Sequence, residues 1–193
     1  MSHFDRPVLV MFTSIPGSGK SYFARQAAVR MGAIRLSSDA IRLAIFGSLD
    51  AYRQEADRLG KERVLEYVFG AMGYAGDQIL GNKQDLIYDT NTNRRLLRDK
   101  TAERAHRSQA VPIIVHIEVP DEVAMRRGQE REELPDSRRK TAESMRELID
   151  RIQAGTDPFG DDESVVNLDG MAPFEEQFAD FESQVKEIVS RVG

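Results

Sequence analysis

One run near the start of the chain limits its possible folds more than any other: VLVMFTSIPGSGKSYFA, residues 8–24. Its first six residues read as a strand covered on both faces, and such strands belong to parallel sheets flanked by helices. A turn of small residues follows, and Lys20 and Ser21 open a helix. Backbone N–H groups across Gly17, Ser18, Gly19 and Lys20 can converge on an anion only where bulky side chains stay clear. The two glycines allow this, and they tolerate the positive φ that such a nest requires. The helix that follows adds the positive end of its dipole. The phosphate-loop (Walker A) pattern G-x-x-x-x-G-K-[ST] is met at every position but the first, which is Ser14. Serine suits that place if its backbone stays at negative φ. Pro16, Gly17, Ser18, Gly19, Lys20, Ser21 and Tyr22 are therefore the candidate nucleotide-binding residues. Lys20 is directed at the β- and γ-phosphate oxygens, and the Ser21 hydroxyl at Mg2+.

Apolar strand-like runs alternate with helix-length segments along the rest of the chain, the pattern of a doubly wound α/β fold. Strands are expected at 8–13, 33–36, 85–89, 112–118 and 164–168. Helices are expected at 19–31, 38–47, 52–80, 92–108, 120–131, 139–153 and 173–191, with Gly81 closing the long one. The expected fold is a three-layer α/β/α sandwich around a five-stranded parallel sheet. It forms a single domain over 1–193, with a small helical lid at about 127–140.

Two carboxylates are expected on the rim where the strands end, the edge at which such sheets bind ligands. Asp39, in "LSSDAIR", follows the second strand, and Arg42 stands three residues later. Asp39 suits a general base that accepts a hydroxyl proton. It equally suits a first-turn residue behind a Ser37 or Ser38 cap, paired with Arg42 on the surface. Asp89 ends the third strand in "LIYDTNTNRR", a position from which a carboxylate holds Mg2+ or a water bound to it. Its other reading is a cap for the next helix, with Asn91 and Thr92 as competitors. In "MRRGQEREELPDSRR", Arg127 and Arg131 share a helical face, where guanidinium groups can stabilise a transferring phosphoryl group. The same residues also fit a charged helix with internal pairs.

Taken together, "SIPGSGKS", "SSDAIR", "DTNTNRR" and "RRGQER…LP" resemble, in order and spacing, the small P-loop kinases related to the kinase domain of phage-type polynucleotide kinase, a group that includes zeta-toxin and AAA-like P-loop kinases. The resemblance spans essentially the whole chain. It implies a P-loop kinase fold, ATP and Mg2+ as cofactors, and transfer of the γ-phosphate to a hydroxyl. It matches Lys20 and Ser21 to the phosphate and metal residues, Asp39 to the general base and Arg42 to an arginine near the acceptor. Asp89 matches the carboxylate of the Asp-Thr-Asn element, and Arg131 the lid arginine. Arg127, with the loop "LDGMAP", is the candidate adenine clamp. The acceptor expected first is a polynucleotide 5′-hydroxyl. The alternatives are a small molecule (sugar, nucleoside or antibiotic) and an ATP-hydrolysing regulatory switch without an acceptor.

Composition narrows the partners. A net charge of −5 argues against a general footprint for duplex DNA, although "RRLLRDKTAERAHR" (94–107) leaves room for a local phosphate site. With no cysteine, disulfides and thiolate chemistry are excluded. No apolar run is long enough for a membrane span and no secretory leader is visible, so a cytoplasmic protein without an evident obligate protein partner is expected.

Overall fold

Side-chain alternation along the first strand divides the core in two. The computed structural model describes residues 2–130 and 141–192, and in it β1 (Val8–Thr13) is buried along its whole length. Val8, Val10 and Phe12 face one layer, where they meet Phe23, Ala24 and Ala27 of α1 (Lys20–Met31). Phe178, Phe181 and Val185, at helical spacing on one face of α8 (Phe174–Val192), complete that layer. Leu9 and Met11 point the other way. They pack on Met72 and Leu80 of α4 (Lys61–Gly81) and on Ala105 of α5 (Arg95–Arg107).

The sheet has the order β2-β3-β1-β4-β5 and every pairing is parallel, so the expected α/β fold and its five strands are present. The remaining strands are β2 (Ile34–Ser37), β3 (Leu86–Asn91), β4 (Val111–Glu118) and β5 (Val165–Asp169). The other helices are α2 (Ser38–Phe46), α3 (Leu49–Leu59), α6 (Asp121–Glu130) and α7 (Ala142–Ala154). A third small cluster, built on Ala124, Met145 and Ile149, packs α6 and α7 against Ile15 of the phosphate loop.

Two expectations about helices need correction. The segment 52–80 is not one helix. Gly60 adopts φ 89 and ψ 139, a backbone closed to other residues, and breaks it into α3 and α4. Gly81 is the last residue of α4 and not its left-handed stop; Lys83, at φ 59, turns the chain instead.

The arginine-rich segment 94–107 is largely committed to structure. Arg98 is fully buried and its guanidinium donates to Glu163 at 2.6 Å and to the carbonyls of Asn93, Asp157 and Pro158 at 2.9, 3.2 and 2.8 Å. Asp157 in turn accepts from the Arg95 N–H at 2.8 Å and so caps α5 from a distant loop. Arg104 donates to the Gly73 carbonyl at 2.7 Å and ties α5 to α4. Arg98→Ala removes the main partner of the buried Glu163 carboxylate, which keeps the Gly160 N–H at 2.8 Å and Arg95 at 3.4 Å, so it is expected to lower the unfolding free energy by about 2 kcal/mol, measured by urea denaturation. A loss below about 1 kcal/mol would show that the loop does not depend on this arginine.

Candidate phosphate and phosphoryl-acceptor site

The loop after β1 has the backbone that its glycines predict. Gly17 and Gly19 sit at φ 84 and 98, and Gly19 is the N-cap of α1 without any side-chain cap. The first N–H groups of α1 therefore point outward with no capping side chain to satisfy them. Gly17 is required for a second reason. A Cβ there would stand 2.2 Å from the Ala124 carbonyl oxygen, so the loop lies directly against α6. The Ser18 hydroxyl is buried without a hydrogen-bond partner among the described residues.

Ser14 resolves the departure from the loop pattern. Among the described residues, only Lys83 and Gln109 are non-glycines at positive φ, so Ser14 keeps the conformation that serine accepts. The side chain of Asn91 holds it from both sides: Oδ1 accepts from the Ser14 N–H at 3.3 Å and Nδ2 donates to the Ser14 carbonyl at 2.9 Å. Thr92 likewise donates through its hydroxyl to the Phe12 carbonyl at 2.9 Å. The Asp-Thr-Asn-Thr run thus serves partly as a strap between β3 and β1.

Asp89 is the electrostatic centre. Where Val10 of β1 pairs with Ile87, Phe12 pairs with Asn91, so β3 carries two more residues than β1 and Asp89 lies in that irregularity. Such bulges re-aim side chains beside functional sites. The buried Asp89 carboxylate pairs with the Lys20 ammonium through Oδ1 and accepts from the Ser21 hydroxyl at 3.0 Å. Its other oxygen accepts from Arg35 Nε at 2.9 Å. Burial alone would raise the pKa of this carboxyl. The charge and hydrogen bond of Lys20, then those of Arg35, outweigh burial and hold it below its ordinary value of 3.8. A lowered folded-state pKa contributes stability above the unfolded value and loses it as pH falls through the folded one. Asp89→Asn is therefore expected to flatten the fall in Tm below about pH 4, followed by thermal denaturation across pH. An unchanged acid limb would contradict this assignment.

Arg35 is the participant that motif reading missed. Its signal was a lone charge inside the short strand "AIRL". One carboxylate against two cations leaves the cluster with net positive charge, suited to polyanionic phosphate. Arg35 also gives Asp89 a counter-charge that does not depend on Lys20. The residues fit Mg2+ and a nucleotide. Mg2+ takes few protein ligands, a hydroxyl and one or two carboxylates, and leaves the rest to phosphate and water. The unpartnered Ser18 hydroxyl and uncapped helix start are donors suited to phosphate.

Asp39 lies on the same rim. Ser37 of β2 registers opposite Asp89, and Asp39 follows two residues later in the first turn of α2. Ser37, not Ser38, caps that helix by accepting from the Ala40 N–H at 3.4 Å. Asp39 is half exposed and receives Arg42 Nη1 at 2.5 Å, and the Arg42 guanidinium stacks over Tyr52 at 4.7 Å. Both readings of Asp39 thus meet in one geometry: a surface-accessible carboxylate held by a fixed arginine. Asp89, by contrast, caps no helix, since α5 begins only at Arg95 and is capped by Asp157.

Arg127, near the end of α6, donates to the Gly170 carbonyl at 3.0 Å, which brings together the arginine and the "LDGMAP" loop. Pro16 lies in the loop turn, and Tyr22 is exposed on the first turn of α1, edge-on to Phe174 at 6.3 Å. Arg131 and the rest of the expected lid to residue 140 lie outside the described residues. No helix among the described residues is long and apolar enough to cross a membrane.

Comparison with known proteins agrees with this architecture. No curated protein matches the sequence at a significant level. Solved structures do. A sugar kinase from Janibacter superposes with a TM-score of 0.66 at 18% identity, covering 93% of this chain and 94% of that chain. A gluconokinase from Sinorhizobium meliloti gives 0.66 at 16% identity, covering 98% and 97%. At such identities the likeness establishes the fold. A family profile described as an AAA domain matches residues 9–155, from inside β1 to just past α7. The chain belongs to that family and has the fold of its P-loop kinases.

Proposed function

We propose that this chain is an ATP- and Mg2+-dependent kinase that phosphorylates a hydroxyl group of a small molecule. The observation that carries the reading is the buried Asp89 carboxylate held by Lys20, Ser21 and Arg35 directly at the phosphate loop. A polynucleotide 5′-hydroxyl was the first acceptor expected from sequence. The small-molecule alternative is better supported, because the structural neighbours include a sugar kinase and a gluconokinase and the chain is acidic overall.

When bound, Mg2+ and ATP would supply the phosphoryl group and a cation to share its charge. Gly17, Ser18, Gly19 and Lys20 would cradle the phosphates, and Ser21 and Asp89 would hold the metal. Lys20 would exchange its contact with Asp89 for phosphate oxygens, while Arg35 remains to balance the carboxylate. Asp39 would take the proton of the acceptor hydroxyl, and Arg42 would fix its orientation. Arg127, Tyr22 and the 169–172 loop would flank the base. Arg131 is assigned as the lid arginine through the family resemblance alone.

The test is transfer of labelled γ-phosphate to a panel of sugars, nucleosides and polyols beside an RNA and a DNA 5′-hydroxyl. Label is expected on a small polyol and not on the oligonucleotides. Label reaching an oligonucleotide in preference, with an affinity that falls steeply with salt, would restore the polynucleotide reading.

A further inference from the structure

Arg35 is the lone charge on the short strand β2, where the sheet fixes its backbone. It registers opposite Ile87 of β3, while Ser37 registers opposite Asp89. The guanidinium therefore reaches along the ladder toward the strand ends to meet that carboxylate. Both Nε, at 2.9 Å, and Nη2 donate to the same oxygen, Oδ2. An arginine fork commonly spreads over both oxygens of a carboxylate. Here it closes on one.

The other oxygen has a separate set of partners. Oδ1 pairs with the Lys20 ammonium and accepts from the Ser21 hydroxyl at 3.0 Å. Each oxygen of an ionised carboxylate has room for two donors, so Arg35 fills Oδ2 while Lys20 and Ser21 fill Oδ1. The two cations differ in how readily they give way. Lys20 is a point charge on a flexible stem, and phosphate can draw it off. Arg35 rises from inside the sheet as a planar pair of donors, and the Asp89 side chain it grips is only 1% exposed.

Neutralising Asp89 does not call for this arrangement, because Lys20 balances its charge and any neutral donor would satisfy Oδ2. The second cation instead decides which oxygen remains for a metal. A divalent ion shared with Ser21 would meet Oδ1 alone. Mg2+ accepts a single carboxylate oxygen and completes a tight octahedron with phosphate and water. Ca2+ is larger, takes about six to eight oxygens and draws on both oxygens of a carboxylate. Among the described residues, no group of three or more His, Asp or Glu side chains is placed to make up the missing ligands.

We propose that Arg35 is a positioning residue that restricts Asp89 to one-oxygen coordination and thereby makes the phosphate site select Mg2+ over Ca2+. The proposal rests on the magnesium–nucleotide reading of Lys20, Ser21 and Asp89, and assigns the metal specificity of that site to the neighbouring strand.

Calorimetry with a non-hydrolysable ATP analogue, in Mg2+ or in Ca2+, measures the ratio of the two affinities on the full chain. It is run on the wild type, Arg35→Lys and Arg35→Gln. Lysine keeps the charge without the planar pair of donors, and glutamine removes both. The wild type is expected to favour magnesium by at least about tenfold, and the ratio to fall at least about threefold in each variant as Oδ2 comes free. A merely structural role for Arg35 would weaken both complexes alike and leave the ratio where it was. Thermal denaturation identifies the variants that are folded, and either one suffices. A wild type that binds the calcium complex as tightly as the magnesium complex overturns the proposal without any variant. An unchanged ratio in a folded variant overturns it equally. In both cases the nucleotide site stands and only the role of Arg35 falls. A wild type that binds the analogue with neither metal rejects the nucleotide reading itself.

Discussion

Replacing Lys20 by alanine is expected to lower single-turnover phosphoryl transfer by about 10³-fold while the protein stays folded. Lys20 stands on the first residue of α1, pairs with Asp89 and donates to Ser21 Oγ at 3.2 Å. Its ammonium also lies 5.9 Å over the Phe12 ring, so the side chain is held against the loop and not free in solvent. A buried carboxylate deprived of its cation normally costs several kcal/mol. Here Asp89 keeps Arg35 and the Ser21 hydroxyl, which limits the structural damage and separates the catalytic effect from unfolding. Thermal denaturation beside the rate measurement checks both halves. A variant with near-normal turnover would reject the phosphate-loop assignment. One that fails to fold would show that Arg35 is not a sufficient counter-charge.

Asp39→Asn carries the second large effect. Transfer to the acceptor is expected to fall by about 10²- to 10⁴-fold, because the amide cannot accept the hydroxyl proton, while Mg·ATP affinity stays unchanged. Stability should barely move: Asp39 is half exposed, and its pair with Arg42 is of the solvent-screened kind. Arg42 remains stacked on Tyr52 in the variant, so the rim keeps its shape. The same substitution separates an enzyme with an acceptor from a nucleotide-hydrolysing switch, since a switch has no acceptor hydroxyl to deprotonate. Unchanged acceptor phosphorylation would remove Asp39 from the mechanism and leave it a helix-start residue.

Much of this arrangement is legible in the residues themselves, for identifiable reasons. The backbone of the turn after β1 is legible because its constraint is local: positive φ at Gly17 and Gly19 follows from the tightness of the turn. The first strand is found because full burial on both faces removes charged residues from it. The shared rim of Asp39 and Asp89 follows from strand direction alone once the sheet is parallel.

Non-local features were not legible. Arg35 and Asp89 are adjacent only because β2 and β3 pair, which motif spacing does not encode. Arg98 sits in a segment rich in exposed charges, and nothing nearby in sequence predicts that Glu163 and three backbone carbonyls will bury it. Gly60 reads as a tolerated glycine in a long helix, and only its backbone angles reveal the break. The cap of α5 comes from Asp157, more than sixty residues away, so the local competitors Asn91 and Thr92 were free to become the strap onto β1.

The central claim is that the cluster of Lys20, Ser21 and Asp89 is a magnesium–nucleotide phosphate site, and calorimetric titration of ATP with and without Mg2+ tests it most directly. The account predicts one site per chain, with affinity weakened at least about tenfold when magnesium is withheld or when Ser21 is replaced by alanine. Absence of binding, or binding indifferent both to magnesium and to Ser21, would contradict it.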